Sequence, residues 1–220
     1  MNNPNGHLES IQQYLVAAAP EIGHINKIEK FSNGQSNPTY LLSTDRDRYV
    51  LRSKPGGDLL KSAHAVEREY KVMKALKNTD VPVPRMLCLC ENEGVAGSIF
   101  FVMSYEEGRI FWDPALPRLS AADRSVLYTN KIRTLAALHS VDPGSVGLQG
   151  FGRTGNYFER QFNRWTTQYR ASETEKINDM ETLIHWLTRH IPTDDGQNAI
   201  IHGDFRLDNL IISTNKLKTS

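Results

Sequence analysis

"AIIHGDFRLDNLIIS", residues 199 to 213, decides the reading of this chain. Two short apolar runs, Ala199 to Ile201 and Leu210 to Ile212, bracket a polar stretch that holds two aspartates, an arginine and an asparagine. Runs of small and branched apolar residues read as strands buried on both faces, so polar groups at their ends sit on a rigid support. Within the stretch, Asp204 and Asn209 follow the pattern H-x-D-x4-N on a tight loop leaving a strand. That spacing suits phosphoryl transfer: the Asp can accept the proton of an attacking hydroxyl while the Asn offers a neutral oxygen to Mg²⁺ beside it. Gly203 permits the sharp turn. A structural loop in which Asp204 caps a turn fits the same short pattern, so the rest of the chain has to arbitrate.

Three further parts of a nucleotide site occur in the order such a site needs. "FSNGQSNPTY" is a small polar turn between two strands, able to bring backbone N–H groups and the Ser36 hydroxyl against phosphates. "YVLR" ends a strand with Arg52, where a kinase has its phosphate-pairing cation, and "VEREY" follows on the next helix with a Glu to orient it. Lys54 shares Arg52's strand face and is the other residue able to reach phosphate. "FFVMSYEEG" is an apolar strand passing into an extended polar linker whose backbone can hydrogen-bond an adenine edge.

The rest of the chain supplies the frame. Its 220 residues suffice for one large domain or two small lobes, and 26 Lys+Arg against 25 Asp+Glu give a formal charge of +1. No excess of charge points to nucleic acid or an acidic membrane surface, and no apolar run approaches the ~20 residues that span a bilayer. The expected partner is a small molecule. Cys88 and Cys90, the only cysteines, alternate on one strand and read as buried structural thiols in a reducing compartment. With no targeting signal in the chain, a cytoplasmic location is expected.

Along the chain, "HLESIQQYLVAAA" reads as an amphipathic helix stopped by Pro20. About five strands and a helix from about Ser62 to Lys77 follow, up to the polar segment Glu106 to Arg109. Beyond it the chain turns helical. Ser120 with Asp123 signals a helix start for a segment through Ile132, Leu135 and Leu138. Further helices are expected at Tyr157 to Arg170 and about Glu173 to His190. His185 and His190 do not share a helix face, which argues against a metal pair. Trp112, Trp165 and Tyr169 read as core residues. The expectation is an α+β protein of two lobes with a cleft between them: residues 1–106 as an N-lobe of antiparallel sheet plus helix, and residues 107–220 as a partial helical C-lobe.

Together "VEREY", "VPVPRML", "VMSYEEG", "LHSVD" and "IHGDFRLDN" resemble the aminoglycoside phosphotransferase and choline kinase-like family, from about residue 28 to the end. "SNPTY", "YVLRSKPGGDLLKSAHAVERE" and "GRIFWDPALPRLSAADRS" are similar to the kinase-like domain that precedes the dehydrogenase in the acyl-CoA dehydrogenase family member 11 type, and to its stand-alone bacterial relatives. The resemblance implies a protein kinase-like fold and an ATP-dependent, Mg²⁺-requiring O-phosphotransferase acting on a small-molecule hydroxyl, with a hydroxyacyl-CoA as the implied acceptor. It implies Asp204 as catalytic base, Asn209 as metal ligand, and Arg52 as phosphate-pairing cation with Glu69, or alternatively Glu67, as its helix partner. It further implies Ser36 and Asn37 in the phosphate loop, and Ser104, Tyr105 and Glu106 as the adenine-contacting linker behind Met103. Arg206 and Asp208 either fix the loop or face the substrate, and His202 reads as a structural histidine.

The pattern departs from the family in one respect. Members carry a second Mg²⁺-binding Asp about fifteen residues beyond the Asn, on a strand pairing with the segment that holds it. "TNKLKTS" closes this chain at Ser220 in polar residues instead. The expectation is a C-terminally truncated kinase-like chain, with a catalytically silent nucleotide-binding or interaction remnant as the alternative to a working kinase.

Overall fold

The computed structural model of the chain describes residues 4–32, 37–55, 65–153 and 155–213. The chain forms two compact units, Met1–Ser140 with Ile201–Ser220, and Val141–Ile200.

The first unit is built on a five-stranded antiparallel sheet in the order β1-β2-β3-β5-β4, formed by β1 (Ile25–Lys30), β2 (Thr39–Thr44), β3 (Arg48–Ser53), β4 (Met86–Cys90) and β5 (Phe100–Ser104). β5 explains its own apolar run. Its side chains alternate across the sheet, and both faces are covered. Phe100 and Val102 join Leu42, Tyr49, Leu51, Cys88 and Cys90 on one face, under Ile11 and Leu15 of α1 (Leu8–Ala18). Phe101 faces the other way and packs on Val66 and Tyr70 of α2 (Val66–Leu76), with Met73 and Met103 beside them.

α1 ends before Pro20, as the sequence predicts, and is pinned to the sheet by polar contacts. The Tyr14 hydroxyl donates to Leu89 O at 2.8 Å, while Gln12 accepts from Ile25 N at 2.7 Å and donates to Gly23 O at 3.1 Å. Both cysteines lie free and buried under this helix. Burial pushes the Cys88 thiol up to about 12 and raises Cys90 as well. A thiol reacts as its thiolate, so the native protein is expected to resist iodoacetamide at about pH 8 and to take up label on both cysteines only when unfolded. Rapid labelling of the folded protein, read by mass spectrometry, would contradict this burial.

The same register places Arg52. It sits opposite Phe101 across the β3–β5 ladder and opposite Thr39 across β2–β3, so it shares the α2 side of the sheet with Phe101. α2 begins with Glu67 and Glu69 in its first turn, where carboxylates complement the helix dipole. The helix expected from about Ser62 is seen from Val66 onward, and its expected first residues lie outside the described segments.

The short α3 (Glu93–Ala96) lies between β4 and β5, and after β5 the chain runs through an irregular linker to α4 (Ala121–Ser140). Ser120 caps α4 as its spacing predicts: its Oγ accepts from Asp123 N at 3.1 Å and donates to Asp123 Oδ2 at 2.7 Å. A second small core unites this segment with the loop that follows residue 201. Leu116, Leu127, Leu207 and Ile212 are buried together, with Phe111, Leu119, Tyr128 and Leu210 around them.

Two expectations fail here. Ala199 to Ile201 and Leu210 to Ile212 are not strands. Ile201 is 62% exposed, and the second run makes one isolated bridge, Ile212 to Arg109. A strand exists only as a member of a ladder, and among the described residues neither run finds a neighbouring strand. Nor are the tryptophans core: Trp112 is 58% exposed and Trp165 59%. Trp112 lies on the irregular segment before α4, and Trp165 lies on α5 (Tyr157–Ser172), which contains no fully buried residue.

The second unit holds α5 and α6 (Asn178–Arg189). Arg170 joins them, its Nη2 lying 2.7 Å from Glu181 Oε2, and the Tyr169 ring lies 5.7 Å from the same guanidinium. α6 starts later than the sequence suggested because Glu173 leaves α5 with extended backbone. No helix among the described residues is long and apolar enough to cross a membrane.

Candidate active site

The described site residues fall into three clusters. The first surrounds Glu69. Arg52 Nε lies 2.6 Å from Glu69 Oε2 and Nη2 lies 3.4 Å from Oε1, so the guanidinium engages both oxygens. Asn37 Nδ2 donates to Glu69 Oε1 at 2.7 Å, and Arg52 Nη1 donates to Thr39 Oγ1 at 3.1 Å. The pair is about one-third exposed, Arg52 at 29% and Glu69 at 35%, which leaves the cation held yet reachable. Glu67 points elsewhere; its Oε2 is buried with no hydrogen-bond partner among the described residues. Lys54 continues the ladder through its backbone, donating to Ile99 O at 2.9 Å. Ser36 lies outside the described residues.

The second cluster is the linker. Ser104 closes β5, accepts from Arg85 N on its hydroxyl at 2.9 Å, and donates from that hydroxyl to Glu106 Oε1 at 2.5 Å. Met103 supports the linker from behind, paired with Val50 on β3 and Met86 on β4. Tyr105 lies beneath the Arg48 guanidinium.

The third is the loop of residues 202–209. Gly203 takes φ +82°, a left-handed conformation that side chains disfavour, and turns the chain so that Asp204 N donates to His202 Nδ1 at 3.3 Å. His202 packs edge-on against Phe205, with ring centroids 5.4 Å apart, which gives it a part in holding the loop. Asn209 folds back: its Nδ2 donates to Asp204 O and to Asp204 Oδ2, both at 2.9 Å. With the amide nitrogen so used, Oδ1 meets no donor among the described residues. Arg206 bridges two carboxylates, Nε lying 3.0 Å from Asp204 Oδ1 and Nη2 lying 3.0 Å from Asp208 Oδ2. Asp208 is 19% exposed and anchors this bridge, while Asp204 is 58% exposed and open to a reactant.

Buried Leu207 ties the loop into the second core, and Ile212 pairs with Arg109 through two backbone hydrogen bonds of 2.9 Å. The sequence marks Glu106 to Arg109 only as a polar segment, whereas Gly108 and Arg109 dock this loop. The signal was the glycine itself, since a Cβ there would lie 2.5 Å from Ile211 Cγ2 and 2.8 Å from Ile212 O.

Residues 27–219 match the phosphotransferase enzyme family, known by the short name APH. The chain belongs to this family. A Ralstonia eutropha protein of known crystal structure, provisionally assigned as an aminoglycoside phosphotransferase, superposes with a TM-score of 0.83 at 44% identity, covering 96% of this chain and 62% of that one. The mouse acyl-CoA dehydrogenase family member 10 is 48% identical over 187 residues, covering 85% of this chain and 17% of the relative. The human acyl-CoA dehydrogenase family member 11 is 41% identical over 201 residues, covering 91% of this chain and 26% of the relative. The chain thus spans about a quarter or less of these two proteins. The aminoglycoside phosphotransferase of a streptomycin–ATP complex, 18% identical with a TM-score of 0.62, shares the fold over 95% of this chain and 67% of its own. The sheet, its flanking helices and the family membership together give an α+β, protein kinase-like fold.

Proposed function

We propose that this chain carries an ATP-dependent phosphotransferase site that phosphorylates a small-molecule hydroxyl, with Asp204 as the base. The observation that carries the reading is the locked Asn209 amide. Its nitrogen is bound twice by Asp204, which turns its carbonyl oxygen outward as a neutral donor beside a carboxylate. An oxygen donor set of this kind suits Mg²⁺, which takes one or two protein oxygens and completes its shell with water and substrate phosphates. Asn209 is therefore the residue that would hold it, beside the Asp204 carboxylate, and its chemistry there would be to offset phosphate charge.

The remaining steps belong to the chain's own groups. Glu69 and Thr39 hold the Arg52 guanidinium extended, so its outer edge can pair with phosphate oxygens. The linker from Ser104 to Glu106 can present backbone groups to an adenine edge. Asp204, fixed between Arg206 and Asn209, keeps a second lone pair on each oxygen. It accepts the proton of the substrate hydroxyl as the new P–O bond forms and the bond to the departing ADP breaks. The fold neighbour solved with streptomycin and ATP is consistent with a nucleotide and a hydroxyl substrate meeting in this architecture. The acyl-CoA dehydrogenase-type relatives favour a hydroxyacyl thioester as the acceptor.

ADP release measured with a panel of hydroxyacyl thioesters, simple alcohols and aminoglycosides, beside an ATP titration with and without Mg²⁺, tests this. Acceptor-dependent release is the expected result. ATP binding without turnover would favour a silent nucleotide-binding role, and no binding at all would sink both.

Within this site Arg52→Ala is expected to weaken ATP binding about tenfold and Lys54→Ala by much less. Arg52 is held toward α2 by a charge-assisted fork, and its removal also strands the Glu69 carboxylate. The reverse order in a nucleotide titration would transfer the phosphate role to Lys54.

A further inference from the structure

Arg48 opens β3, far along the strand from Arg52, and its side chain reaches the linker. Its guanidinium carbon lies 4.3 Å from the centroid of the Tyr105 ring, and Nη2 lies 2.5 Å from Glu107 Oε1. One side chain therefore grips two alternate residues of the segment that follows β5. Residues two apart in extended backbone share a face, so Tyr105 and Glu107 present one side of the linker and Ser104 and Glu106 the other. That second side is closed by its own contact, Ser104 Oγ to Glu106 Oε1 at 2.5 Å. At the far end the Arg109–Ile212 bridge fixes the chain again. Arg48 is itself well anchored, paired with Ser43 across the β2–β3 ladder and with its N–H on Asp47 Oδ1 at 2.7 Å.

We propose that Arg48 is a positioning residue for the nucleotide: it clamps the outer face of the linker and keeps residues 104–107 extended for an adenine edge. The inference rests on the kinase reading above. A strut this exposed, with Arg48 at 45% and Glu107 at 80%, adds little to global stability. Its effect lies in preorganisation. A linker already ordered before ligand arrives spares the binding step that ordering cost.

The test compares Arg48→Ala, Arg48→Lys and Arg46→Ala in the full chain. ATP affinity is read by titration, KM and kcat by ADP release, and linker order by amide hydrogen exchange in the ligand-free protein. Arg48→Ala is expected to weaken ATP binding about 3- to 10-fold, to leave kcat at saturating ATP unchanged, and to speed exchange at the bonded amides that flank the linker, Ser104 on Arg85 O and Arg109 on Ile212 O. Arg48→Lys keeps a charge for Glu107 but loses the planar stack on Tyr105, so its effect should be intermediate. Arg46 lies on the same β2–β3 turn but reaches Pro20 O at 3.3 Å and Glu21 O at 3.4 Å, so its loss should leave ATP affinity alone. Wild-type affinity in Arg48→Ala overturns the proposal. So does weaker binding with unchanged linker exchange, which would mean that Arg48 touches the nucleotide itself. A wild-type protein that binds no ATP brings down the kinase reading and the nucleotide half of this proposal, while the exchange data still decide whether Arg48 orders the linker.

Discussion

Asp204→Asn is expected to lower kcat by about 10²- to 10⁴-fold, the usual worth of a positioned general base, while ATP affinity barely changes. The substitution keeps the size of the side chain and removes its ability to take a proton. It also disturbs the loop in a definable way. Asp204 accepts from two donors, Arg206 Nε at 3.0 Å on Oδ1 and Asn209 Nδ2 at 2.9 Å on Oδ2. An amide has one oxygen, so one of those donors must then face an NH₂ group. Two effects therefore combine, loss of the base and a loosened Asn209. Asn209→Ala separates them, because it frees one Asp204 oxygen but leaves the carboxylate in place. If the base dominates, Asp204→Asn is the more damaging of the two at saturating Mg²⁺, and raising Mg²⁺ restores part of the Asn209→Ala loss only. Unchanged turnover in Asp204→Asn, with ATP binding intact, would remove Asp204 from the mechanism.

The elements legible in the sequence were those whose signal is local and periodic. β5 announces itself because both of its faces are buried, so Phe100 through Met103 are apolar without a break. Arg52 follows from the same alternation: once Leu51 faces α1, the next residue must face α2, where Glu69 waits. The capped start of α4 is likewise a short-range pattern of Ser120 and Asp123. What escaped depends on partners distant in sequence. "AII" and "LII" have the composition of strands, yet pairing is a property of two segments, and Ile212 finds only Arg109. Trp112 and Trp165 are apolar enough for a core, but burial depends on what packs over them. The docking of Gly108 and the grip of Arg48 on Tyr105 and Glu107 join residues whose codes carry no trace of each other.

Gly108 sets the second large expectation, since there the linker meets the segment that follows the catalytic loop. A Cβ at this position would meet Ile211 Cγ2 at 2.5 Å, Ile212 O at 2.8 Å and Ile212 C at 3.1 Å. The first obstacle is a side-chain tip that can rotate away. The second is a backbone oxygen that accepts from Arg109 N at 2.9 Å and cannot move while that bridge stands. Adding a methyl group must therefore push the two segments apart, as overpacking does elsewhere at about 1–3 kcal/mol. For a chain of this size that corresponds to roughly 3–10 °C in Tm. The functional effect should be larger than the loss of stability. Ile212 and Leu207 are both buried in the small core under the loop, so separating the segments shifts Asp204 with them. A displacement of about 1 Å at a reacting group costs on the order of 10²-fold in rate. Gly108→Ala is thus expected to fold with a lowered Tm and to lose about tenfold to 10²-fold in kcat, with Gly108→Val worse on both counts. Adding Ile211→Ala to Gly108→Ala removes the rotatable obstacle and leaves the backbone one, so the double variant should regain only part of the loss. Full recovery would assign the constraint to the Ile211 side chain, and wild-type Tm and kcat in Gly108→Ala would show that the close approach of the two segments does not position the base.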